Sequence, residues 1–190
     1  AKSTKAGLHF LFSIKSLSKL SKYLFDLDYI VTLPIVLLIF FYISKSAIIQ
    51  LNKENFVSNV DINKSETKMF LISGFIIFLC FLLLSNYIYR EVFFIALLPF
   101  LLKIKSDNNN LLIKNLIYLI IIKFFFSYLY AFYNIKESVY YIDNIRFYTK
   151  YFITVSFIKG IIDLVLVAFL ASLIVIISKK YFQKINLLKT

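Results

Sequence analysis

The stretch "CFLLLSNYIYREVFFIALLPFLLK", Cys80 to Lys103, sets a polar cluster between two apolar runs. Ser85, Asn86, Tyr87, Tyr89, Arg90 and Glu91 fill the gap, and Val92 resumes the apolar pattern at once. An amphipathic helix of a soluble protein would show one apolar stripe and one polar face. These runs are apolar all round, which is the pattern of a segment whose solvent is lipid.

The rest of the chain agrees. It is 61% hydrophobic, with a mean hydropathy of +0.82, where soluble domains are nearer half apolar. Apolar runs approaching or exceeding about 18 residues recur, which is the length needed to cross a hydrocarbon core of about 30 Å as α-helix. A soluble helical bundle is excluded because too few charges remain to cover its outer faces. The expected fold is all-α: a polytopic transmembrane helical bundle with about five membrane segments, one short or bent, plus an amphipathic N-terminal helix. Residues 1–190 form one integral-membrane domain in this reading. Because the chain starts at Ala1 rather than Met, it is expected to be the C-terminal part of a longer protein.

Residues 8–25 place Phe10, Ile14, Leu17, Leu20 and Leu24 at three- and four-residue steps, with Lys15, Lys19 and Lys22 on the other face. That pattern fits either a helix lying in the headgroup layer or a first helix packed on the bundle. The first membrane run is Tyr29 to Ser44, with Pro34 inside it, and residues 45–67 read as a polar extramembrane loop. Lys68 to Leu84 is the second run. Val92 to Leu102 is too short to cross as a regular helix unless it borrows flanking residues, and Pro99 predicts a bend or break. "SDNNN", Ser106 to Asn110, reads as a turn, Leu111 to Tyr133 as the next span, and 134–150 as an interfacial helix or loop rich in Tyr. The last span runs from Tyr151 to Ser178, and Lys179 and Lys180 directly after it favour a cytoplasmic tail.

The formal net charge of +12 admits nucleic acid as a partner, but the lysines are spread along the chain, mostly at the ends of apolar runs. Lipid phosphates are the partner this spacing fits, and no nucleic acid is expected. The single Cys80 and single His9 have no ligand or nucleophile motif around them, so no metal or cofactor is expected. Asp61 and Glu66 read as solvated loop charges. Inside the last span Lys159 and Asp163 are four apart, on one helix face, and predict an ion pair. Lys123 has no acid at three or four residues; it either snorkels or approaches Asp163 on the neighbouring helix.

The polar cluster is the candidate binding site: Asn86, Tyr87, Tyr89 and Arg90. A guanidinium offers a planar fork of donors suited to phosphate, and Tyr and Asn supply hydroxyl, amide and stacking contacts to a sugar or anionic head. Arg90 and Glu91 are adjacent, so on a helix they diverge by about 100° and do not pair. "SNYIYREVFFIALLPFLL" resembles a segment of bacterial polytopic membrane glycosyltransferases of the GT-C type, in which a late hairpin reads Asn-x-Asp-Tyr-Arg, then an apolar run, then Pro. Asn86, Tyr89, Arg90 and Pro99 match, and Ile88 stands in the place of the Asp. The resemblance implies sugar transfer from a polyprenyl-phosphate-linked donor in a bacterial inner membrane, with the catalytic acid outside this chain. From the buried charges comes the alternative: a transporter, flippase or non-catalytic subunit of a membrane complex. The turn at 85–91 is expected at the membrane surface, on the same side as 134–150, with Tyr87 to Glu91 forming the first turn of the next helix.

Overall fold

The structure is a computed structural model that describes residues 14–53, 56, 60–83, 88–108, 110–135, 139–142, 145–148 and 150–187. Among the described residues six α-helices, a ten-residue 3-10 helix and a pair of antiparallel strands follow one another. They are α1 (Ile14–Phe25), α2 (Tyr29–Lys53), α3 (Ser65–Leu83), the 3-10 helix (Ile88–Leu97), α4 (Leu98–Asn108), α5 (Leu111–Ile135), β1 (Val139–Ile142), β2 (Ile145–Tyr148) and α6 (Lys150–Leu187). Four of the helices, α2, α3, α5 and α6, are long and apolar enough to cross a membrane. Their surfaces keep large apolar side chains exposed, such as Ile30, Leu38, Phe41, Ile72, Ile121 and Phe125. In water such a surface would aggregate; in a bilayer it is the lipid-facing layer of a membrane bundle.

α6 is the central helix. It packs against α1, α2, α3 and α5, and its middle is buried almost all round: Leu166, Val167, Ala168 and Leu170 are inaccessible. α2 runs parallel to it. The Ser44 hydroxyl donates to the Ala168 carbonyl at 3.2 Å, and the Ser172 hydroxyl lies 2.9 Å from the Ser44 carbonyl. Interhelical hydroxyl bonds of this kind are a usual join between helices in lipid, where burial of apolar surface gives no driving force. α3 runs antiparallel to α6, with Lys180 Nζ donating to the Val60 carbonyl just before α3. Gly74 on α3 meets Leu170 and Ile174 on α6.

Two ends of the bundle follow from these directions. One end gathers α1, the start of α2, the end of α3, the start of the 3-10 helix, the hairpin and the start of α6. The other gathers the end of α2, the start of α3, the α4–α5 turn and the end of α6. They are called here the hairpin end and the tail end.

Several sequence expectations change. α2 does not stop at Ser44 but continues to Lys53, so the polar loop begins later than 45. "KSAIIQLNK" has no Gly or Pro to end a helix, and Ala47 and Leu51 turn inward four residues apart. The remaining link is not simply solvated, since Phe56, Val60 and Ile62 are buried in it. The turn expected at 106–110 narrows, because α4 runs to Asn108. Asn110 caps α5, its Oδ1 accepting from the Ile113 N–H at 3.1 Å. Residues 139–142 and 145–148 pair as antiparallel strands rather than forming a helix or open loop, in the register Val139 with Tyr148 and Ile142 with Ile145. α1 packs on the bundle: Ile14, Leu17 and Leu20 are buried, and Thr32 of α2 donates to the Ser18 carbonyl at 3.2 Å. Asp26, at φ 57°, makes the left-handed step from α1 to α2, a conformation that Asp and Asn tolerate better than most residues.

The short apolar run after the polar cluster crosses the bundle by changing helix type. Its ten-residue 3-10 helix rises about 2.0 Å per residue against 1.5 Å for an α-helix. Residues 88–102 therefore extend about 27 Å, where an α-helix would give about 22 Å, and they run the length of α3. Phe70 and Phe100 stack with ring centroids 4.3 Å apart, and Glu66 pairs with Lys103 at 3.4 Å. Pro99 falls in the first turn of α4, where its missing N–H costs least.

Candidate functional site

Three charged side chains meet in the interior. Asp163 on α6 accepts from Lys159 Nζ at 3.0 Å through Oδ2 and from Lys123 Nζ of α5 through Oδ1. Lys123 is 0% exposed, Asp163 2% and Lys159 6%, so all three have left solvent. The Lys123 ammonium also lies 4.9 Å from the centre of the Phe94 ring on the 3-10 helix, a cation–π contact. A carboxylate at this depth is costly alone. Two ammoniums and the face of an aromatic ring offset that cost and join three segments at one point: α5, α6 and the 3-10 helix.

The expected Lys159–Asp163 pair is present, and Lys123 takes the second of its two predicted courses, reaching Asp163 rather than snorkelling. What sequence reasoning missed is Phe94. An apolar residue in an apolar run carries no sign that its ring faces a cation. Glu66 was also underrated: it is half-exposed and bridges to Lys103, joining α3 to α4. Asp61 is exposed and accepts from the Asn63 N–H, a local turn contact. Cys80 is buried in α3, as a structural cysteine would be.

Of the four residues singled out around Arg90, Asn86 and Tyr87 lie outside the described residues. Tyr89 and Arg90 are placed by their backbone, in the first turn of the 3-10 helix at the hairpin end. This agrees with an element beginning near Tyr87 to Glu91, although its type is 3-10 and not α. The end of α3, the start of the 3-10 helix and the strands β1 and β2 share that end of the bundle. Among the described residues no group of three or more His, Cys, Asp or Glu could hold a metal ion.

The hairpin end also carries an apolar groove of about 310 Å³ between α1, α2 and α6, walled by Leu17, Phe25, Ile35, Ile39, Phe157 and Ile161. A second cavity, of about 320 Å³, lies at the tail end between α2 and α6.

Comparison with protein-family models, curated proteins and solved structures found no match to this chain.

Proposed function

We propose that the chain is a membrane-embedded part of a glycosyltransferase that takes a sugar from a polyprenyl-phosphate-linked donor in a bacterial inner membrane, with Asn86 to Arg90 contacting the donor. One observation carries this reading. The segment singled out by its polar residues is also where the backbone departs from α-helix, entering a 3-10 helix of ten residues. Such helices seldom exceed three or four residues, and a stretch of one between α-helices often marks a functional hinge or a sequence under strain. Arg90 sits in its first turn, at the end where the bundle's connections are richest in Tyr.

A guanidinium there would hold the donor phosphate through two parallel charge-assisted bonds. The test is sugar transfer by the complete protein carrying Arg90→Ala or Arg90→Lys. Losing a hydrogen bond to a charged group costs about 1.5–3 kcal/mol, roughly 10- to 150-fold. Arg90→Ala is expected to lose transfer in that range. Arg90→Lys should fall between it and the parent, since an ammonium keeps the charge and loses the fork. Full activity in both variants removes the arginine from the mechanism.

A second reading, transport or ion coupling, is favoured by the Lys123–Asp163–Lys159 cluster, because ionisable groups at membrane depth often line a route. It predicts that Asp163→Asn abolishes flux in reconstituted vesicles. A scaffold role predicts lower stability with no flux to lose.

A further inference from the structure

We propose that the cavity between the C-terminal ends of α2 and α6 is a binding site for the headgroup phosphate of an anionic glycerophospholipid. This inference is independent of the sugar-transfer reading and concerns the opposite end of the bundle.

The cavity of about 320 Å³ has a two-part lining. Ile48, Val175 and Ile176 form its apolar part, and Lys179, Lys180, Asn52 and Gln183 its polar part. The order along α6 sets the depth. Its apolar run ends at Ser178, so Lys179 to Gln183 occupy the zone just beyond the hydrocarbon. One helical turn back, Val175 is exposed and can meet an acyl chain. Polar groups one turn above apolar ones, in a cleft between two membrane helices, match a molecule with a charged head and a greasy tail.

Charge selects the kind of head. Among the described residues two lysines line the cavity and no carboxylate does. Lys180 is steadied by its bond to the Val60 carbonyl at 2.8 Å, while Lys179 is exposed. Asn52 and Gln183 add amide donors that suit phosphate or glycerol oxygens. Basic pockets between membrane helices bind anionic headgroups by this combination of charge and fit. A free phosphate would satisfy the lysines but leave the apolar part of the cavity unfilled, so a lipid is the occupant the whole lining selects.

The experiment uses the purified full chain, delipidated in neutral detergent and titrated with phosphatidylglycerol or phosphatidylcholine, with bound lipid read by native mass spectrometry. Phosphatidylglycerol is expected to bind more tightly than phosphatidylcholine. Lys179→Gln should weaken the phosphatidylglycerol site about fivefold, the worth of one lysine near an anionic surface, and Lys179→Gln with Lys180→Gln should weaken it further. Phosphatidylcholine, whose phosphate is balanced by its own choline, should lose less in either variant. Lys68→Gln, an equal charge change at an exposed position of the same end, should leave the affinity as it was. A large excess of inorganic phosphate should leave the lipid bound. The proposal is overturned by equal binding of the two lipids, or by no loss in Lys179→Gln, which stays informative even if the Lys180 change disturbs folding. It is also overturned if Lys68→Gln loses as much, which would mean diffuse attraction, or if inorganic phosphate displaces the lipid.

Discussion

Asp163 serves two lysines, so removing its charge and removing one lysine are different perturbations. Asp163→Asn leaves two buried ammoniums facing each other without their shared carboxylate. Breaking a buried pair from one side typically costs about 3–5 kcal/mol, and that loss is expected in unfolding titrations of the purified protein in mixed micelles. Lys123→Met removes one charge, keeps the Lys159–Asp163 pair and fills the space with an apolar chain of similar length. It should cost about 1 kcal/mol or less, since side-chain bonds between membrane helices average only about 0.6 kcal/mol. Equal losses in the two variants would contradict the shared-carboxylate geometry. At this scale the sequence was partly legible. Spacing of four on one helix announced Lys159 with Asp163, because a helix repeats its face on that interval. Lys123 could be narrowed to two courses but not settled, since its partner is 40 residues away and depends on how α5 and α6 are rotated.

Between elements, a close approach tested by a single atom is α1 on α6. A Cβ at Gly160 would lie 2.8 Å from Leu17 Cδ1, so Gly160→Ala must push Leu17 aside and Gly160→Val must displace α1. Overpacking of this kind costs about 1–3 kcal/mol. Limited proteolysis should then cut before α2 earlier in Gly160→Val than in the parent, and an unchanged pattern would show that α1 is not held there. Ser172 supplies one of the hydroxyl contacts between α2 and α6, its proton shared between the Ser44 and Ala168 carbonyls, and Ser172→Ala should cost about 0.6 kcal/mol or less in the same micelle titration. Element types were legible where apolar runs were long, because length and hydropathy alone decide a membrane helix. Two were missed for different reasons. The hairpin had a signal: "VYYI" and "IRFY" are rich in β-branched and aromatic residues and flank two residues, Asp143 and Asn144. Its Tyr content was read only as an interface marker. The 3-10 helix had none, since apolar pattern and composition do not separate 3-10 from α-helix over ten residues.

For the whole molecule, the direction of each helix decides which connections share an end. The antiparallel course of α3 against the 3-10 helix and α4, fixed by Phe70 on Phe100 and Glu66 on Lys103, brings the Arg90 turn to the same end as the β-hairpin. The start of α3 is brought to the other. The candidate donor site stands or falls with that arrangement, and accessibility from the two sides of a membrane measures it directly. In a Cys80→Ala background, single cysteines are introduced by Glu91→Cys, Arg146→Cys and Lys64→Cys. Each protein is reconstituted in sealed vesicles of one orientation and treated with a membrane-impermeant maleimide from outside, then after lysis. The account predicts that Glu91→Cys and Arg146→Cys label from one side and Lys64→Cys only from the other. Labelling of Glu91→Cys and Arg146→Cys from opposite sides would contradict it.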